Sequence, residues 1–190
     1  VRLRESKEDD VYRLDLATGV LALDTKNPGR VPGNWFYADA ALKVRTVARV
    51  RERGGTEVLV RDEPSGAWTV WLDAHQGYEL AVEAFSEDGQ ALLLRTDLGA
   101  GTTGLVWRRI QDGEQRVLAR SADLDVFSVL RHPGTGRVQA VCYLADPRRW
   151  EALDRSLRAD FQRLGQLEPR SQLNFASRDN ADEHWLVWLS

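Results

Sequence analysis

The chain has 190 residues, 43% hydrophobic and 29% charged, with a formal net charge of −3. That length supports one sizeable packed domain, and the balance of charge excludes the basic, patchy surface of a nucleic-acid-binding domain. The longest apolar runs, such as Ala91-Leu92-Leu93-Leu94, are far shorter than the ~18 residues a membrane-spanning helix needs. Cys142 is the one cysteine, so an intrachain disulfide and a cysteine-based zinc cluster are both excluded. That usage fits a cytoplasmic location.

Taken in chain order, the elements repeat. Strands are expected over 11–16 and 20–24, joined by the turn Ala17-Thr18-Gly19. Turn glycines return as Gly66 in Pro64-Ser65-Gly66 and as Gly113 in Gln111-Asp112-Gly113, at steps of 47. A second marker set has the same step. Lys43, Gln90, Arg137 and His184 each close a polar turn and open an apolar strand. The turns are Asp39-Ala40-Ala41-Leu42, Ser86-Glu87-Asp88-Gly89, Pro133-Gly134-Thr135-Gly136 and Asn180-Ala181-Asp182-Glu183. The clearest unit has strands over 79–85, 91–96, 104–110 and 115–119, with an Asp-Gly hairpin signal after the first.

Four short strands in 47 residues, repeated, predict an all-β protein built of β-propeller blades, each of four antiparallel strands. One blade cannot cover both of its own faces, so blades must stack. The seven tryptophans suit that packing, as large sheet-face fillers whose N–H needs a partner. About four units fill residues 1–190, read as a single, partial propeller domain. The first unit enters at its third strand and the last leaves at its second. The two half-units either close on each other or leave open edges that seek partners, including further copies of the chain.

One unit departs from the pattern. After strands over 138–144 and 150–153, Leu153, Leu157, Phe161 and Leu164 fall on one face of a helix. Asp154 is placed to cap it and Gly165 to end it. Strand character resumes over 171–177. The opening Val1-Arg2-Leu3-Arg4, without Met, and the apolar run 185–189 at the other end suggest a piece of a longer protein.

The run Val11-Tyr12-Arg13-Leu14-Asp15-Leu16-Ala17-Thr18-Gly19, the motif Phe85-Ser86-Glu87-Asp88-Gly89-Gln90, and Leu130-Arg131-His132-Pro133-Gly134-Thr135-Gly136-Arg137-Val138-Gln139-Ala140-Val141 resemble the propeller of the prolyl oligopeptidase family. Its acylaminoacyl-peptidase-like and dipeptidyl-peptidase-like serine peptidases are the most similar branches. Ser177-Arg178-Asp179 followed by Trp185-Leu186-Val187 is similar to a segment that follows a helix in those proteins. The resemblance implies a parent enzyme in which an α/β-hydrolase domain carries a Ser-Asp-His triad. The propeller restricts access to it, so that peptides rather than folded proteins enter. The implied partners are that hydrolase domain and, through it, a peptide substrate.

The chain itself lacks that chemistry. None of its serines, from Ser6 to Ser190, lies in Gly-x-Ser-x-Gly, and there is no βαβ alternation to hold such an elbow. His75, His132 and His184 lie in or beside turns, without a metal-ligand spacing. Cys142 reads as a small core residue. Asp9-Asp10, Asp62-Glu63 and Asp123 with Asp125 read as solvated turns rather than as a glycosidase pair. The loop 99–104 lacks the Lys-Ser/Thr of a phosphate-binding loop. No catalytic, cofactor or metal site is therefore expected. In an up-and-down blade the second-to-third-strand loops and the blade-to-blade connections emerge together. That face would hold Arg53-Gly54-Gly55, the loop from Asp97 to Thr103, Pro147-Arg148-Arg149 with Trp150, and 73–78. Arg53, Asp97, Thr103, Arg148, Arg149 and Trp150 are the candidates for contact with a hydrolase domain or its substrate. The alternative is a free-standing scaffold of the TolB or WD-repeat kind, acting by protein contacts alone.

Overall fold

The protein is described by a computed structural model covering residues 9–29, 34–63, 65–167 and 171–190. The opening residues Val1 to Arg4, Ser6 and Pro64, named above, lie outside that range. The strands pair antiparallel. β1 (Val11–Leu14) and β2 (Leu21–Thr25) form a hairpin. β3 (Trp35–Ala38), β4 (Val44–Val50), β5 (Thr56–Val60) and β6 (Thr69–Ala74) form a four-stranded meander. A second meander follows from β7 (Leu80–Phe85), β8 (Ala91–Thr96), β9 (Gly104–Arg109) and β10 (Gln115–Ala119). Three strands make the next sheet, β11 (Val126–Arg131), β12 (Val138–Tyr143) and β13 (Arg149–Ala152). A 3₁₀ turn (Arg155–Leu157) and helix α1 (Arg158–Leu167) come before the last hairpin, β14 (Leu173–Arg178) and β15 (Trp185–Leu189).

The 47-residue step is present in these bounds. β4, β8, β12 and β15 begin at Val44, Ala91, Val138 and Trp185, each 47 residues after the one before. The strands expected over 91–96 and 115–119 match β8 and β10, and the others match to within two residues at each end. Two compact units divide the chain, one of residues 1–99 and 106–116, the other of 100–105 and 117–190.

In the first unit, Ala48, Val58, Val60, Leu72, Leu80, Val82, Leu92, Leu94 and Val106 form one apolar cluster. Successive strand residues point to opposite faces. Leu92, Leu93 and Leu94 are nevertheless all buried, so β8 is covered on both. The half-buried Trp71 donates its indole N–H to the Ile110 carbonyl at 2.9 Å. Arg61 lies over the Trp68 ring and donates to the Val44 carbonyl and the Thr25 hydroxyl. In the second unit β12 is covered in the same way: Ala140, Val141, Cys142 and Tyr143 are all buried. Not every tryptophan is a filler. Trp35 and Trp188 remain half exposed.

The helix departs from expectation at its end. Asp154 caps the 3₁₀ turn, its carboxylate accepting the Ser156 N–H at 3.0 Å. Gly165, however, does not stop α1, which continues to Leu167. Gly165 is not left-handed, so it supplies no helix-ending conformation.

Each of the four repeated hairpin turns is closed by a side chain at its first position or at the residue just before it. Asp39 Oδ1 accepts from the amides of Ala41 and Lys43, both at 3.0 Å. Ser86 Oγ accepts from Ala91 at 2.9 Å. His132 Nδ1 accepts from Gly134 at 3.0 Å and Thr135 at 3.2 Å. Asp179 Oδ1 accepts from Glu183 at 2.8 Å and His184 at 3.2 Å. The left-handed residue also recurs, as Leu42 (φ 56°), Gly89 (φ 68°) and Gly136 (φ 70°), again at steps of 47. Leu42 is 69% exposed, so it gives up little packing if replaced. Leu42→Gly relieves a left-handed penalty of roughly 1–2 kcal/mol against ~0.5–1 kcal/mol of added chain freedom. Urea melts should show a gain of up to about 1 kcal/mol.

Candidate functional site

The six candidate residues divide between the two units. In the first unit, Arg53 sits in the β4–β5 turn beside Gly54 (φ 80°) and Gly55 (φ 88°). A Cβ on Gly55 would lie 2.3 Å from the Ala74 carbonyl oxygen, so only glycine fits there. The turn borders an open hollow of about 600 Å³ lined by Arg49, Arg51, Arg53, Glu57, His75 and Gln76 among others. Alternation along β4 and into the turn puts the three arginines on one side. Two of them are neutralised. Glu57 accepts from Arg49 at 2.7 Å and from Arg51 at 2.8 Å, and Arg51 also pairs with Asp73. Burial pushes the Glu57 carboxyl up, but the hydrogen bonds and charges of the two guanidinium groups outweigh it and hold the group below the ordinary carboxylate range. Arg53 is exposed, and among the described residues no carboxylate lies within ion-pair reach of it.

Asp97, also in the first unit, is a structural tie. Its carboxylate accepts the Glu79 amide at 2.8 Å, joining the start of β7 to the end of β8. Thr103, in the second unit, is buried, donates its amide to Asp125 at 2.7 Å and accepts the Val126 amide at 2.9 Å. Backbone geometry therefore occupies the polar groups at both positions, and neither borders one of the hollows described here.

Arg148, Arg149 and Trp150 fall together on β13 and its approach, but alternation splits them. Arg149 pairs with Tyr143 across the strands and stacks on its ring at 5.0 Å. Arg148 stacks over Phe127 at 4.0 Å. Arg148 and Trp150 share a hollow of about 220 Å³ with Ser128, Cys142, Asn174, Phe175 and Trp188. The Trp150 N–H donates to the Leu173 carbonyl at 3.0 Å, and its ring meets Phe175 edge-on at 5.0 Å and Phe161 of α1 at 5.9 Å. The inserted helix is thus held by an aromatic cluster that Trp185 completes. The hollow offers a cation, an amide and aromatic faces, the chemistry of peptide contact. Burial pushes the Cys142 thiol up, against a smaller downward pull from Arg148.

The sequence reading overlooked one cluster. Arg178, in the Ser-Arg-Asp segment, donates to the Gln139 side chain at 2.6 Å, to Asp182 at 2.8 Å and to the Arg131 carbonyl. Asp182 also accepts the Trp185 indole N–H at 2.8 Å. Both side chains of the ion pair are 6% exposed. Helical patterning and turn rules do not detect such a knot, because its members are spread over 131–185 and no local pattern joins one to another. Asp179, Glu183 and His184 could present three ligand atoms to a cation, all within 4.8 Å. The Asp179 carboxylate is already engaged by two amides and by His184 Nδ1 at 3.1 Å, which holds it below its ordinary range.

No family profile and no solved structure matches the chain. It is similar to dipeptidyl aminopeptidase BIII of Pseudoxanthomonas mexicana, 31% identical over 191 residues, which cover 98% of this chain and 27% of that protein. The chain thus spans about a quarter of the length of the curated relative it matches, a prolyl oligopeptidase-family peptidase.

Two outcomes are expected. Asp182→Ala leaves Arg178 buried without its carboxylate and should cost about 3–5 kcal/mol in denaturant melts. The Glu57 contribution is present above the ordinary glutamate range near pH ~4.3 and is lost as pH falls toward its depressed folded value. Glu57→Gln should therefore lower stability at neutral pH and flatten the acid limb of a stability–pH profile.

Proposed function

We propose that this chain is a set of β-propeller blades from a serine peptidase, itself without catalytic groups, that limits and orients peptide access to a hydrolase domain. The observation that carries the reading is the likeness to a dipeptidyl aminopeptidase along 98% of the chain. The 47-residue recurrence of β4, β8, β12 and β15 and the two four-stranded antiparallel meanders support the propeller part. The lack of a Gly-x-Ser-x-Gly elbow supports the non-catalytic part.

Within this reading, the hollow of Arg148 and Trp150 and the exposed Arg53 are the surfaces that face the hydrolase domain or its peptide. An arginine stacked on an aromatic ring is pre-organised to meet a carboxylate or a carbonyl at low entropic cost. Among the described residues, no helix is long and apolar enough to cross a membrane, and a cytoplasmic location is part of the proposal.

The test has two arms. The 190-residue chain should neither release a chromophore from dipeptidyl substrates nor be labelled by a fluorophosphonate; labelling would overturn the non-catalytic assignment. In a peptidase that joins these residues to a hydrolase domain, Arg148→Glu should lower kcat/KM for longer peptides at least ~10-fold more than for a dipeptidyl chromogenic substrate. Equal effects on both substrates would remove the role in access.

A further inference from the structure

Of the four repeated turns, the one between β11 and β12 is closed by an imidazole. His132 Nδ1 accepts the amides of Gly134 at 3.0 Å and Thr135 at 3.2 Å. A ring nitrogen that accepts must keep its lone pair, so this geometry requires the neutral ring with its proton on Nε2. In an imidazolium both nitrogens are donors. A proton on Nδ1 therefore sets one N–H against two others and takes this acceptor from both amides. The carboxylates and the hydroxyl of the other three turns differ in this respect, because a carboxyl or a hydroxyl retains an accepting oxygen in either protonation state. Two bonds at the mouth of the turn, from the His132 amide to the Arg137 carbonyl and from the Gly136 amide to the His132 carbonyl, are untouched by that proton. What comes loose is the tip, Gly134 and Thr135.

The charges around the ring are of both signs. Arg131 and Arg137 belong to its own hairpin and are exposed. Asp154, with Arg155 next to it, lies in the segment after β13, where the Asp154 amide bonds the Gln139 carbonyl at 2.9 Å. Bonds from the Ser156 amide and hydroxyl hold the Asp154 carboxyl below its ordinary range, and the charges of Arg137 and His132 add to this. An imidazolium at 132 thus has a carboxylate to face. The turn over 179–184 packs on the same tip: a Cβ on Gly134 would lie 3.0 Å from the Asn180 carbonyl oxygen. On that side Asp182 is paired with Arg178, which also reaches the Arg131 carbonyl, and Asp179 with His184, while Glu183 is exposed.

We propose that His132 is an acid-operated latch on the β11–β12 turn: neutral, its Nδ1 holds Gly134 and Thr135; protonated, it releases both amides and turns to Asp154. The released tip is the part that touches Asn180, so acid loosens the contact between this hairpin and β14–β15 within the second unit. The inference rests on the geometry of the turn and stands whether or not the chain serves a peptidase.

Nuclear magnetic resonance of the 190-residue chain, from about pH 8 to about pH 5, spans the range in which histidine changes charge. At the alkaline end the His132 ring nitrogens should show the Nε2–H form. The Gly134 and Thr135 amide protons should then move upfield with the same midpoint as the His132 ring, as their bonds are lost. Ring contacts to these two residues should give way to contacts with Asp154. His132→Asn supplies an accepting oxygen that does not titrate. In that variant the Gly134 and Thr135 shifts should stay flat over the same range, and the part of the Asn180 shift that follows the His132 midpoint should vanish. An Nδ1–H ring at the alkaline end would overturn the proposal. So would amide shifts that do not follow the ring, an acid form that keeps its contacts to the tip, or amide shifts in His132→Asn equal to those of the parent. The parent titration needs no variant, so the latch stays open to refutation even if His132→Asn does not fold.

Discussion

The structure depends on one constraint, that a strand buried on both faces must be covered from two sides. Leu92 to Leu94 in β8 and Ala140 to Tyr143 in β12 show it most clearly. Such strands read as continuous apolar runs instead of alternating ones. They are stable only between layers, because a lone sheet would leave one of the two faces in water. Each covered side chain gives roughly 1.5–3 kcal/mol over exposure. The outer strands carry less of the load. β2 and β10 expose their first three residues, and edge positions of that kind tolerate polar and apolar residues alike.

The repeat and the strands were legible because they follow from local rules. A short apolar run bounded by a turn such as Asp-Gly or Thr-Gly can be read from a few neighbouring residues, and β8 and β10 matched to the residue. The helix was legible through Leu157, Phe161 and Leu164, and its cap through Asp154. Its end was misjudged because Gly165 is a glycine tolerated within a helix, where it keeps ordinary helical geometry. What could not be read was any contact made across distant residues. Arg178 with Gln139 and Asp182 depends on three segments meeting, and nothing in Ser177-Arg178-Asp179 as a string announces it.

The candidate surface shows the same division. Sequence reasoning placed Arg53, Asp97, Thr103, Arg148, Arg149 and Trp150 in connecting segments. It could not tell which of their polar groups were already in use. Asp97 and Thr103 serve the backbone, and Arg149 turns to Tyr143. Arg148 and Trp150 come together because a residue lies between them, and alternation returns the side chain to the same side. The inserted helix supplies Phe161 to hold the Trp150 ring. The irregular unit and the most featured hollow therefore lie next to each other.

The turn-closing side chains have a consequence for how such a repeat can change. A carboxylate at Asp39 and Asp179, a hydroxyl at Ser86 and an imidazole nitrogen at His132 all accept backbone N–H groups where the chain enters a turn, although the amides they take differ. What recurs is a side-chain acceptor at the entry to the turn. The chemical identity of the acceptor is free. His132 meets the requirement only with its ring proton on Nε2, since Nδ1 must keep its lone pair. A repeat held by such a rule can lose nearly all residue identity between its copies while keeping its length to the residue. Spacing then survives as the longest-lived trace of a common origin.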